Sequence, residues 1–96
     1  MNIEKHDELH KQAAAAGRDG DLLLSERFYR DILQDNPLDA VANHNLGVIA
    51  ISDKRVCEAS SLFKTAIDIN PYSEHFWSSY IESMIMTGNF EEANRN

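Results

Sequence analysis

A fixed period of 34 residues is the feature of this chain that most restricts its fold. Pro71 lies 34 positions after Pro37, and an asparagine precedes each proline. Phe63 lies 34 positions after Tyr29 in the same way. Periods in the thirties are typical of stacked helical repeats, because one helical pair cannot bury its apolar face without a neighbour. The period therefore predicts an all-α chain built from similar helical pairs.

Local signals place the helices of these pairs. We predict them at Glu4–Ala16, Leu22–Gln34, Ala40–Ile51, Val56–Ile69 and Glu74–Thr87, with a sixth that begins at Phe90. Asp21, Asp39 and Ser73 are expected N-cap residues, since their side chains accept hydrogen bonds from free backbone N–H groups. The two prolines end the second and fourth helices. Gly88 and Asn89 predict a turn between the fifth and sixth helices.

Gly47 is an unusual residue for the interior of a helix. It lies within the predicted third helix, where glycine costs about 1 kcal/mol relative to alanine. A close approach between helices would offset that cost, because glycine has no side chain to keep them apart. We therefore predict that Gly47 faces Ala59 of the fourth helix, with the two axes at the low end of the usual range of about 8 to 10 Å.

The second repeat resembles the unit of the tetratricopeptide repeat family. Seven residues at the spacing of that unit carry the resemblance: Leu46, Gly47, Ala50, Ala59, Phe63, Ala66 and Pro71. The third repeat begins similarly, with Trp77, Tyr80, Met84, Gly88 and Ala93. The first matches less closely, at Leu9, Ala13, Ala16, Gly20, Ser25, Tyr29, Ile32 and Pro37. Gln12 departs from the family pattern, because it stands where an apolar residue is expected.

The resemblance implies a right-handed α-solenoid of antiparallel helix pairs, with about two and a half repeats. It makes residues 1–96 a single domain, with repeats at about 6–39, 40–73 and 74–96. The predicted sixth helix has only seven residues, about half the length of its predecessors. We therefore expect an N-terminal fragment of a longer protein, or a missing half that another molecule supplies. The exposed side of Trp77, Tyr80 and Met84 would then favour self-association through the partial third repeat.

Charge and composition exclude several classes of partner. The net charge is −7, with acidic residues spread along the chain, which argues against nucleic acid and against an anionic membrane surface. No apolar run approaches the roughly 20 residues of a membrane span, and the N-terminus does not read as a signal peptide. The single cysteine cannot form an internal disulfide. These observations predict a cytoplasmic protein.

The residues predict no enzyme, no cofactor and no metal. His6 and His10 lie one helical turn apart, a spacing that suits a metal ion, but no third ligand accompanies them, since Asp7 points elsewhere on the helix. The sequence also lacks a glycine-rich phosphate loop, a nucleophile elbow and a carboxylate pair with a base. Two and a half small repeats would hardly enclose an active site.

The family resemblance also implies a concave groove lined by the first helix of each repeat. The repeat register carries over these lining residues: Asp7, His10, Ala14, Gly17, Arg18, Val41, His44, Val48, Ile51, Ser52, His75, Ser78, Glu82, Ile85 and Met86. His10, His44 and Ser78 are 34 residues apart and should form one row. The basic clamp of the family's chaperone cofactors and the asparagine rows of its glycosyltransferases are both missing from the matching positions.

Two functions follow from these observations. The first is a protein interaction scaffold that binds a peptide or protein segment in the groove, with a basic segment favoured by the charge. The second is a non-catalytic N-terminal arm of a larger enzyme, such as a glycosyltransferase, which would position protein substrates for chemistry elsewhere in the chain. The sequence leaves both open, because helical repeats serve many unrelated functions.

Overall fold

The protein is all-helical over the part of the chain that the computed structural model describes, which is the backbone of residues 3–95 and the side chains of residues 5–88. Five helices follow one another without a strand in that range: α1 Ile3–Arg18, α2 Leu22–Asp35, α3 Ala40–Ser52, α4 Val56–Ile69 and α5 Glu74–Arg95. The first four agree with the predicted helices to within two residues at each end. None of the five helices is both long enough and apolar enough to cross a membrane.

The predicted N-caps are confirmed at three helices. Asp21 accepts a hydrogen bond from the backbone N–H of Leu24 at 3.1 Å, and Asp39 accepts one from Ala42 at 3.0 Å. The Ser73 hydroxyl accepts the backbone N–H of Phe76 at 3.2 Å. These bonds satisfy donors that have no partner within the first turn of a helix, which is why local sequence places the three starts well.

The 34-residue period is visible in the turns within the first two helical pairs. Gly20 ends the first turn with a φ of +83°, and Lys54, 34 positions later, has a φ of +62°. In each turn the next residue donates its backbone N–H to a carbonyl five residues earlier, at 2.9 and 2.8 Å. Both pairs therefore have a residue in the left-handed conformation at the equivalent position, after the first helix of the pair.

Consecutive helices pack side by side and run antiparallel. Towards the turn of the first pair, the Ser25 hydroxyl donates to the carbonyl of Ala13 at 2.8 Å. His6, near the start of α1, bonds to Asp35 at the end of α2. The buried core follows these contacts from helix to helix, with three clusters of residues: Ala13, Tyr29, Ile32, Ala42, Leu46 and Ile49; Ala50, Ala59 and Phe63; Ala66, Ile67 and Phe76.

The predicted turn at Gly88 and Asn89, and the sixth helix after it, are wrong. Helix α5 continues through both residues to Arg95. Gly88 is the third equivalent of Gly20 and Lys54, so the turn signal recurs without the turn. Starting a new helix is costly because the first turn gains few hydrogen bonds, whereas extending an existing helix adds one bond per residue. Extension of α5 through Gly88 is therefore favoured over the start of a new helix.

The close approach predicted at Gly47 is present, and its nearest neighbour is Phe63. An added Cβ at Gly47 would lie 2.5 Å from Cε1 of Phe63, so the close approach to α4 exists but involves the Phe63 ring. Ala59 is fully buried in a cluster with Ala50 and Phe63. The ring of Phe63 fills the space that the missing side chain of Gly47 leaves.

Candidate functional site

A cavity of about 120 Å³ lies where α3, α4 and α5 meet. Its lining consists of seven residues: Val48, Ile51, Phe63, Ser79, Glu82, Ser83 and Met86. Four of them are groove residues predicted from the repeat register: Val48, Ile51, Glu82 and Met86. The remaining three, one aromatic residue and two serines, were not predicted, because their role depends on how α4 and α5 pack.

The helix period explains why these residues converge. Val48 and Ile51 are three residues apart on α3, and Glu82 and Met86 are four apart on α5, so each pair shares one helix face. Glu82 is also the equivalent of Val48 in the next repeat. Two helices that occupy equivalent places in adjacent repeats therefore supply six of the seven lining residues, and the cavity is apolar apart from one carboxylate and two hydroxyl groups.

His44 lies beneath this surface and does not line it. Its side chain belongs to a residue only 3% exposed, and its Nε2 shares a 2.8 Å hydrogen bond with the Ser79 hydroxyl. The ring stacks on Phe76, with 4.9 Å between centroids, and its centroid is 4.6 Å from that of His75. Burial lowers the pKa of His44 below its ordinary value of 6.5, and the hydrogen bond to Asn45 opposes this shift. His44 therefore positions Ser79 from within the core.

The other predicted groove residues spread from the surface to half-buried positions. Five are exposed: Asp7, Arg18, Val41, His75 and Ser78. Two, His10 and Ala14, are half-buried. Of the neighbours that the register adds, Gly17 is half-buried, and Ser52 and Ile85 are exposed. None of these residues lines the 120 Å³ cavity, so the structure gathers the predicted set most closely at its α3 and α5 end.

Two histidine–aspartate pairs at the N-terminal end were not predicted. Nε2 of His6 is 2.9 Å from Oδ2 of Asp35, and Nε2 of His10 is 2.9 Å from Oδ2 of Asp39. The hydrogen bond to His6 lowers the pKa of Asp35. The two histidines are four residues apart, and so are the two aspartates. This matched spacing is the one sequence signal that could have revealed the pairs. Among the residues whose side chains are described, no group of three or more His, Cys, Asp or Glu could hold a metal ion.

A second cavity of about 130 Å³ carries strong charges that already pair with one another. It is lined by Leu22, Leu23, Glu26, Ile49, Ser52, Asp53 and Arg55. Arg55 contacts Glu26 at 2.8 Å and Asp53 at 3.0 Å, so its charge is balanced within the protein. The first cavity is the better binding candidate, because no ion pair contacts its single carboxylate, Glu82, among the described side chains.

The fold and this site define an all-helical protein with a shallow, mostly apolar depression between neighbouring helices. Comparison with known proteins adds no relative: no protein-family model matches the chain, and no curated protein matches it.

Proposed function

We propose that the protein is a tetratricopeptide-like solenoid that binds a peptide or protein segment along the groove formed by α1, α3 and α5. One observation carries the proposal. Four residues selected by a 34-residue register, on two helices that are one repeat apart, line a single cavity. If these positions were merely solvated, the four residues would not be expected to share a cavity. In a repeat groove, residues one repeat apart lie side by side.

The size and lining of the cavity indicate what it accepts. At about 120 Å³ it is smaller than the roughly 300–1,000 Å³ typical of small-molecule sites. It suits a single apolar side chain of a bound segment, which would contact Val48, Ile51 and Met86. Glu82 is exposed beside them, and the chain as a whole carries a net charge of −7. The favoured ligand is a segment with an apolar anchor residue next to lysine or arginine.

Peptide binding by the purified chain tests this proposal. Fluorescence anisotropy should show binding of labelled peptides with a central Leu or Met flanked by Lys or Arg, and weaker binding of the same peptides with Glu in place of the basic residues. Met86→Asp should abolish binding, and Glu82→Lys should reverse the preference for charge. Leu38→Asp is the matched control, since Leu38 is 69% exposed and lies outside both cavities described above.

Equal binding by Met86→Asp and by the control would contradict the groove as the binding site. If none of these labelled peptides binds, whether its flanking residues are basic or acidic, the proposed function itself is contradicted. Far-UV circular dichroism of each variant separates these results from unfolding.

We also propose that the protein works in a reducing compartment such as the cytoplasm. Cys57 is free and exposed on α4. An exposed thiol without a partner in its own chain would form intermolecular disulfides under oxidising conditions. Alkylation of the native protein in cell extracts tests this: Cys57 should be found reduced, and recovery as a mixed disulfide would contradict the assignment.

A further inference from the structure

The polar groups of the 120 Å³ cavity can accept hydrogen bonds, but two of the three have no hydrogen left to donate. Ser79, Glu82 and Ser83 supply these groups. The Ser83 hydroxyl already donates to the carbonyl of Tyr80 at 2.7 Å, and it accepts a hydrogen bond from the Ser60 hydroxyl at 3.0 Å. An ionised carboxylate such as that of Glu82 has no hydrogen at all. Only Ser79 is left as a donor to the cavity.

The direction of the hydrogen bond between Ser79 and His44 removes that donor. Nδ1 of His44 lies 3.3 Å from Oδ1 of Asn45, an oxygen without a hydrogen, so Nδ1 carries the proton of the neutral imidazole. The ring is neutral at pH 7, because burial lowers the pKa of His44 below 6.5. Its Nε2 therefore has no proton and accepts the Ser79 hydroxyl hydrogen over 2.8 Å. Ser79 offers the cavity only the lone pairs of its oxygen.

The backbone adds no donor to this cavity either. All seven lining residues lie beyond the first turn of α3, α4 or α5, where the backbone N–H groups are bonded within the helix. The rest of the lining is apolar. The side chain that complements such a cavity has an apolar stem and a hydrogen-bond donor at its end. A carboxylate would find no donor there, and Glu82 would repel it.

We propose that the cavity binds the side chain of a lysine in the partner segment, with the aliphatic stem against Val48, Ile51 and Met86 and the ammonium group between Ser79 and Glu82. This inference rests on the groove function proposed above and goes further, because one residue then supplies both the apolar contact and the positive charge. Glu82 is available for this contact, since no ion pair occupies it among the described side chains.

Lysine satisfies the acceptors of the cavity better than arginine does. An ammonium group has three N–H donors and no acceptor. Two of them bond to Ser79 and Glu82, and the third reaches water at the mouth of the cavity, where Val48 and Met86 are 45% and 39% exposed. A guanidinium group is planar and has five N–H donors, so a single hydroxyl and a single carboxylate would leave more of them without a partner inside the cavity.

Three labelled peptides that differ only at the central residue test this inference by fluorescence anisotropy. The central residue is lysine, norleucine or trimethyllysine, and alanine and serine flank it so that no other side chain is charged. Norleucine keeps an unbranched apolar side chain and has no charge, whereas trimethyllysine keeps the charge and has no N–H donor. The lysine peptide should bind at least about tenfold more tightly than either of the others, because it alone combines the stem, the charge and the donors.

Substitutions of the two acceptors locate the ammonium group. Ser79→Ala and Glu82→Gln should each weaken binding of the lysine peptide about three- to tenfold and leave the norleucine peptide within about twofold. Glu74→Gln is the matched control, since it removes a charge from an exposed residue of the same helix that lies outside the cavity. Far-UV circular dichroism checks that Ser79→Ala is folded, and Glu82→Gln tests the same contact at an exposed position.

The outcomes separate this inference from the proposed function. Binding of norleucine or trimethyllysine as tight as that of lysine would overturn the lysine site, as would equal binding of the lysine peptide by Glu82→Gln and Glu74→Gln. The peptides with a central Leu or Met and basic flanking residues are measured in parallel. If they bind and the lysine peptide does not, the lysine site alone is wrong. If neither set binds, the groove function is wrong as well.

Discussion

Gly47 and Phe63 pack so closely that a Cβ on Gly47 would lie 2.5 Å from Cε1 of the Phe63 ring. This relationship links the helical packing to the candidate site. The absence of a side chain on α3 lets the ring of α4 enter, and the same ring forms part of the wall of the 120 Å³ cavity. A change at Gly47 should therefore alter both stability and the shape of the cavity.

Gly47→Ala should lower the free energy of unfolding by about 1 to 3 kcal/mol. The added methyl group would force the Phe63 ring to move, and overpacking of a close interior typically costs that much, despite a gain of about 1 kcal/mol in helix propensity. Chemical denaturation in urea measures the difference.

Gly88→Ala is the matched control for that experiment. It makes the same substitution within helix α5, where an added Cβ meets no atom within 4 Å. This variant should gain about 0.5 to 1 kcal/mol from helix propensity alone. Destabilisation by both substitutions would show that contact with Phe63 is not the cause.

Replacing Gly20 by alanine and replacing Lys54 by glycine should have opposite effects on stability. Both have a positive φ, of +83° and +62°, and occupy equivalent turns. Residues with a Cβ pay about 1 to 2 kcal/mol in this conformation. Gly20→Ala should therefore destabilise the protein by about 1 kcal/mol, whereas Lys54→Gly should be neutral or stabilise it by up to about 1 kcal/mol. Thermal unfolding measures both, and a loss of stability in Lys54→Gly would contradict the argument.

His44 should make the protein less stable in mild acid. Burial lowers the pKa of the folded His44 imidazole below its ordinary value of 6.5, so the unfolded chain binds a proton more readily. Stability is then fully present above about pH 6.5 and is lost as the pH falls from there toward the lowered pKa. In His44→Gln this loss should shrink, as measured by urea denaturation at pH 7, 6 and 5.

The neighbouring titratable groups do not obscure that comparison. His75, whose ring contacts His44, is present in both proteins, so the difference between their pH profiles reports His44. Asp35 and Glu26 have pKa values lowered from 3.8 and 4.5, and they act at more acidic pH. An unchanged loss between pH 7 and 5 in the variant would assign the effect to another residue.

Glu26 should contribute a modest, acid-sensitive share of stability. Its hydrogen bond from Arg55, followed by that from Arg30, lowers the pKa of Glu26 below 4.5 against the opposing effect of burial. The stability it provides is present above about pH 4.5 and is lost as the pH falls through the lowered pKa. Glu26→Gln should cost about 0.5 to 1 kcal/mol at pH 7, since networks of partly exposed ion pairs contribute little more.

Asp68→Asn supplies the control for the Glu26 substitution. Among the described side chains, Asp68 forms an ion pair with Lys64, four residues earlier on the same helix. Its loss should cost no more than about 0.5 kcal/mol at pH 7. Equal costs for the two substitutions would show that the ion pair between Glu26 of α2 and Arg55 adds nothing to stability.

Sequence reasoning worked where the cause was local. The starts of α2, α3 and α5 follow from Asp21, Asp39 and Ser73, each of which bonds to a backbone N–H three residues later. Four cavity residues followed from the family resemblance, whose groove positions the repeat register carried along the chain. It failed at Gly88, because extending an existing helix costs less than starting a new one, and the local turn signal did not outweigh that difference.

The candidate site shows the same division. Val48 and Glu82 could be paired from their 34-residue separation, but the burial of His44 could not. Its equivalents in the register, His10 and Ser78, are half-buried and exposed, and the packing of Phe63 and Phe76 around the ring of His44 removes it from solvent. The bonds of His6 to Asp35 and of His10 to Asp39 were missed for the same reason, since they join different parts of the chain.

The sequence by itself determined the limits of the first four helices, the turns between them and the period that relates them. It could do so because caps, prolines and hydrophobic spacing act within a few residues. Only the tertiary structure decided that α5 continues past Gly88, that Phe63 occupies the space beside Gly47, and that Ile81 and Met84 remain exposed. Those outcomes depend on which surfaces meet across helices, and contacts of that kind have no signal in any short stretch of sequence.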